Sequence, residues 1–105
     1  MRTFYHVKTM FEPELKNKAM KDLFQAISEL KSADETKKFF RDLCTFAELQ
    51  DMAERWQVAK QVNKGVPYRQ IAEKTGSSTA TITRVAHWLH HGMGGYELVL
   101  KRTKA

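Results

Sequence analysis

Apolar residues along this chain recur mainly at the three- and four-residue spacing of helices. Met20, Leu23, Phe24, Ile27 and Leu30 form one stripe and predict a helix from about Glu14 to Lys31. "KSADE" interrupts the stripe and offers Ser32 or Asp34 as an N-cap for a second, short helix carrying Phe39, Phe40, Leu43 and Cys44. Thr45, with Glu48 three residues later, has the signature of a capping box. It opens a third helix from about Phe46 to Lys64, which Gly65 closes, with Leu49, Met52, Ala53, Trp56, Ala59 and either Val62 or Asn63 as its apolar face. Pro67 begins a fourth helix, "PYRQIAEKT", and Gly76 ends it. Ser77 or Ser78 caps a fifth through about His91, and after "GMGG" the segment "YELVLKR" forms a sixth. No stretch shows strand alternation between hairpin turns, so the fold class is all-α with about six helices.

The fourth and fifth helices match a helix-turn-helix, spanning 67–91. Such a motif needs a small residue inside its first helix, a residue tolerant of left-handed backbone in the turn, and apolar residues locking the helices together. Ile71 and Ala72 fill the apolar and small positions, Gly76 the turn, and Ile82 and Val85 the lock. On the fifth helix Ile82, Val85, Ala86 and Leu89 share one side, leaving Thr79, Ala80, Thr83, Arg84 and His87 away from it. The N-terminal part of the second helix of such a motif enters the DNA major groove. Threonine hydroxyls and methyls can meet base edges there, and Ala80 allows close approach. Arg69 is placed to reach a phosphate or a guanine edge. Lys74, Ser77, Ser78 and Thr81 are candidates for phosphate contacts beside the helix N-terminus. The DNA-binding candidates are therefore Arg69, Lys74, Ser77, Ser78, Thr79, Ala80, Thr81, Thr83 and Arg84.

Charge agrees with this reading. The 105 residues carry a net +6. Residues 1–61 hold 11 Lys/Arg against 10 Asp/Glu, whereas residues 62–105 hold 7 against 2. A basic C-terminal half suits a polyanionic partner, although a solvated basic surface gives the same count. The length suits one domain: an arm at 1–13, a single all-α DNA-binding domain at 14–101 and a tail at 102–105. No apolar run is long enough to span a membrane, no signal peptide is evident at the N-terminus, and Cys44 is the only cysteine. Together these place the expected protein in the cytoplasm, with no membrane partner.

The run "ATITR" at residues 80–84, behind "LCTFAEL" and "ERWQVAKQVNKGVPYRQIAEKTG", resembles the Trp repressor family, and within it the Trp-repressor-like YerC/YecD subgroup. The resemblance covers about residues 14–100 and is strongest over 43–85. It implies a six-helix fold in which two chains interleave as a homodimer. It also implies two reading heads about 34 Å apart on double-stranded DNA carrying an inverted repeat. Arg69, Thr79, Ala80 and Thr83 match the family's DNA-contact positions. Position 79 is usually aliphatic in Trp repressors, so the operator sequence does not carry over. Dimerisation has separate support in the many large apolar groups for so short a chain, among them Phe24, Phe39, Phe40, Phe46, Trp56 and Trp88.

The family's tryptophan pocket maps onto Thr45, Arg55, Arg84, Val85 and Trp88. The first three are retained. Val85 stands where the family has a glycine and Trp88 where it has a serine. A valine side chain occupies space that an incoming indole needs, and Trp88 supplies an indole while removing a hydroxyl. Tryptophan binding is therefore not expected. Either Val85 and Trp88 fill the pocket permanently, or Arg55 and Arg84 still clamp the carboxylate or phosphate of another small-molecule effector. Arg55 has an ordinary alternative in pairing with Glu54 or Asp51.

Other signals carry less. His87, His90 and His91 have spacing compatible with a metal, but no cysteine or carboxylate cluster lies nearby in sequence, so no metal site or cofactor is assigned. Cys44 reads as a buried small hydrophobe. No phosphate loop, nucleophile elbow or Ser/Cys–His motif is present, and an enzyme is not expected. The functional expectation is a sequence-specific DNA-binding transcription regulator, a repressor by resemblance. The alternatives are a DNA-binding helix-turn-helix without a ligand-controlled transcriptional role, and a protein-interaction module.

Overall fold

A computed structural model of the protein describes residues 17–104. The expected arm at 1–13 and the expected helix start at Glu14 lie outside the described residues. Six helices and no strand occupy the described residues. They are α1 (Lys18–Ser28), α2 (Ala33–Leu43), α3 (Phe46–Asn63), α4 (Tyr68–Thr75), α5 (Thr79–His91) and α6 (Gly95–Thr103). The chain divides into two compact units, one ending at Leu43 and the other beginning at Cys44.

In the first unit, polar side chains set the helix starts. Asn17 caps α1, its Oδ1 accepting from the Ala19 N–H at 2.8 Å. Ser32, rather than Asp34, caps α2: its Oγ accepts from the Glu35 N–H at 3.1 Å. Glu35 reaches back to accept from the Lys31 N–H at 2.9 Å, which tightens the link between the helices. Asp34 instead forms an exposed pair with Lys38 one turn on. Neither α1 nor α2 contains a buried residue, and Phe24 is 51% exposed.

The second unit builds its core from α3, α4 and α5. The Thr45 capping box forms: Thr45 Oγ1 accepts from the Glu48 N–H at 3.1 Å, and Glu48 Oε1 accepts from the Thr45 N–H at 2.7 Å. Gly65, with φ of 79°, follows the end of α3 as the left-handed residue that terminates it. Val58, Ala59, Ile71, Ile82 and Val85 make one buried cluster, with Trp56, Val62, Val66, Ala72 and Tyr96 packed around it. Each of the larger aliphatic side chains contributes about 1.5–3 kcal/mol on full burial. The face of α3 differs from the expected stripe. Val58 is fully buried, whereas Ala53 and Asn63 are exposed. The reason is that α3 packs against α4 and α5 together, so it needs apolar groups on more than one side.

Helix α6 packs on α5 and takes in Thr103, one residue beyond the expected end of the sixth helix. The Thr103 hydroxyl donates to the Val99 carbonyl at 2.8 Å, and Lys101 and Arg102 suit the negative end of the helix dipole. Gly92 ends α5 where space decides: its N–H donates to the Trp88 carbonyl, and a Cβ at this position would collide with that oxygen. Cys44 is half-buried rather than buried.

Candidate nucleic-acid interface

The turn between α4 and α5 is short and closely tied. Gly76 takes φ of 76°, a backbone conformation costly for any residue with a Cβ, and its N–H donates to the Ala72 carbonyl at 2.9 Å. Thr75 Oγ1 donates back to the Ile71 carbonyl at 2.7 Å and accepts from the Ser77 N–H at 3.2 Å. Ser78 is the N-cap of α5, its Oγ accepting from the Thr81 N–H at 3.1 Å and lying 3.1 Å from the Thr81 hydroxyl.

Helix α5 then presents two unlike sides. Ile82, Val85, Ala86 and Leu89 are buried, as the spacing predicts. Thr79, Ala80, Thr83, Arg84, His87 and Trp88 line a single open depression of about 570 Å³. Its floor mixes methyls, hydroxyls, a guanidinium and imidazole, with no carboxylate among the lining residues. The first N–H groups of a helix have no intrahelical acceptor, and α5 has no acidic residue in its first turn. This end of α5 therefore suits an anion, while the threonine side chains beside it suit base edges. Arg69 is exposed on α4. Lys74 is exposed in the last turn of α4, where it lines a groove with Ala53, Glu54, Gln57, Gln61 and Thr75.

Two expected phosphate contacts take on internal work. Ser77 is 4% exposed and its hydroxyl donates to Glu54 Oε2 at 2.8 Å, so this side chain is spent inside the protein. Thr81 is half-buried, with its N–H and hydroxyl both engaged by Ser78. Glu54 has a role that sequence reasoning missed. A partner 23 positions from Ser77 leaves no local pattern to find.

The five residues mapped onto a ligand pocket do not all line one surface. Arg84 and Trp88 share the depression on α5, to which Thr45, Arg55 and Val85 contribute nothing. Val85 lies in the central core at 1% exposure. Thr45 caps α3, and Arg55 is half-buried on the same helix. The Trp88 ring is half-buried and stands edge-on to His87 at 5.1 Å between centroids. His87 and His91 are 5.2 Å apart, and no group of three metal-ligating side chains occurs among the described residues.

A core-anchored helix pair, a glycine turn and an exposed polar face on the second helix define a helix-turn-helix protein. The chain belongs to the Trp repressor family, whose model, described as Trp repressor protein, matches residues 18–104 and so spans both units. That family consists of regulatory DNA-binding proteins rather than enzymes. The chain is 43% identical over 91 residues to the uncharacterized protein YerC of Bacillus subtilis (strain 168), covering 87% of this chain and 88% of YerC. Among solved structures it resembles a TrpR-like protein from Eubacterium eligens ATCC 27750. The TM-score is 0.84 at 45% identity, over 89% of this chain and 96% of that one. It also resembles a candidate Trp repressor from Staphylococcus aureus, with a TM-score of 0.82 at 40% identity, over 88% and 92% of the two chains. Among the described residues no helix is long and apolar enough to cross a membrane.

Proposed function

We propose that this protein is a sequence-specific DNA-binding transcription regulator, a repressor, that acts as a homodimer on an inverted repeat without responding to tryptophan. The observation that carries the reading is the divided α5 helix. Its buried side is locked into the core, and its exposed side gathers Thr79, Ala80, Thr83 and Arg84 at the end that the fold family presents to DNA. Arg69 and Lys74 on α4 and Ser78 at the cap supply further contacts to the duplex backbone.

Dimerisation is supported by apolar surface that the single chain leaves uncovered. Phe24, Leu43, Phe46 and Leu98 are each 48–60% exposed, and neither α1 nor α2 contains a fully buried residue. Independence from tryptophan is supported by Val85. Its side chain belongs to the core cluster, where the family's pocket has a glycine.

Duplex binding measured across a salt series tests the reading. Steep loss of affinity with salt, together with preference for an inverted repeat over random duplex, is the expected result. Binding that ignores salt and sequence would leave the exposed α5 face without a DNA role. Arg69→Ala and Thr83→Ala are each expected to weaken the preferred duplex by about 1–3 kcal/mol. Calorimetric titration should give no heat at micromolar tryptophan. Heat there would overturn the closed pocket.

A further inference from the structure

Ser77 and Ser78 are adjacent, chemically identical and differently employed. Ser78 serves its own helix as the N-cap. Ser77 is the buried polar side chain among the described residues, and it reaches across the fold to Glu54 in the middle of α3. Thr75, on the other side of Gly76, is bonded into α4 through the Ile71 carbonyl. The turn from Thr75 to Ser78 is thus tied by three hydroxyls to three different helices.

Apolar packing locates only part of α5. The buried residues Ile82, Val85, Ala86 and Leu89 fix it from its fourth residue onward. Thr79 and Ala80, at its start, are exposed and precede the first of these buried residues. On its C-terminal side this start is held by the buried Ile82, whose N–H donates to the Ser78 carbonyl at 3.1 Å, and on its N-terminal side by the short path from Thr79 through Ser78 to the Ser77–Glu54 bond. A buried hydroxyl that loses its acceptor must either stay unsatisfied or move towards water. Movement of Ser77 would carry the start of α5 with it.

We infer that Glu54 is a positioning residue for the recognition helix: by accepting from Ser77 it fixes the entry of α5 against α3, and so sets duplex affinity without touching DNA. This inference rests on the DNA-reading role proposed for α5. The hydrogen bond, rather than the negative charge, does the positioning, because a free carboxylate near an approaching phosphate could only repel it.

The test compares E54A, E54Q, S77A and the double variant E54A/S77A by two measurements. One is amide hydrogen exchange of the free protein. The other is affinity, across a salt series, for a duplex selected by the wild-type protein from a random-sequence pool. In E54A, exchange at residues 77–81 should quicken about tenfold relative to core amides of α3. Duplex affinity should fall about tenfold while the salt slope is kept, since the phosphate contacts remain. E54Q retains an acceptor oxygen and should stay within about threefold of wild type in both measurements. The double variant should bind no more weakly than E54A, because both substitutions remove one bond. Wild-type affinity in E54A, loss in E54Q equal to that in E54A, or additive losses in the double variant would overturn the inference. If the wild-type protein selects no duplex, the DNA-reading role of α5 fails, and the exchange experiment still decides on Glu54. Quickening confined to 77–81 supports the positioning role. Unchanged or uniformly quickened exchange overturns it.

Discussion

Helices α1 and α2 carry sharper apolar stripes than α3, yet neither contains a fully buried residue while α3 contributes two. The contrast follows from how many sides of each helix are covered. Helix α3 has α4 and α5 against it and needs apolar groups around much of its circumference, which blurs the stripe. A single clean stripe marks a helix with one face to cover and says nothing about what covers it. Leu23 and Ile27 are half-buried and Phe24 is half-exposed, so the face of α1 is formed but incompletely covered. A second chain is the cover we propose.

The contrast can be broken at either end. The largest effect is expected in the closed core. Ile82→Ala removes a side chain with no exposure and should cost about 2–5 kcal/mol in chemical denaturation. A cost below about 1 kcal/mol would mean that α5 is not locked as described. Phe24→Ala tests the open face. If a second copy covers it, association should weaken by about 1.5–3 kcal/mol in sedimentation equilibrium. Wild-type protein that sediments as one chain at micromolar concentration would make the exposure of Phe24 a property of the finished molecule. Thr45→Ala addresses the start of α3 and removes half of a capping box. A stability loss of about 1 kcal/mol is expected by thermal unfolding, with little change in assembly. Lys38→Ala is the smallest case. The Asp34–Lys38 pair on α2 is exposed, with Nζ 3.1 Å from Oδ2, and its loss should cost no more than about 0.5 kcal/mol. A larger cost would show that this stretch of α2 is covered in the working protein.

The helix-turn-helix was legible because its requirements are local. Gly76 must accept left-handed backbone, Ile71 and Ala72 must fit one turn before it, and Ile82 and Val85 one turn and two turns into α5. The outward-facing residues followed from the same 3.6-residue period, and Thr79, Ala80, Thr83 and Arg84 do share one surface. Capping was equally local at Thr45 and Glu48. The extra buried position at Val58 was not legible, because a helix packed on two neighbours has no single face to read. Nor was it legible that Arg84 and Trp88 line the depression on α5 while Thr45, Arg55 and Val85 do not, since the grouping of the five came from the family and not from any spacing in this chain.

The sequence by itself determined the six helices of the described residues, most of their ends and the two sides of α5, since all of these rest on contacts within a few residues. Only the tertiary structure decided between Ser77 and Ser78. A hydroxyl at either position can cap a helix or meet a phosphate. Ser77 turns inward because α3 brings the Glu54 carboxylate within hydrogen-bonding distance, and a pairing across 23 positions is a property of packing, not of spacing.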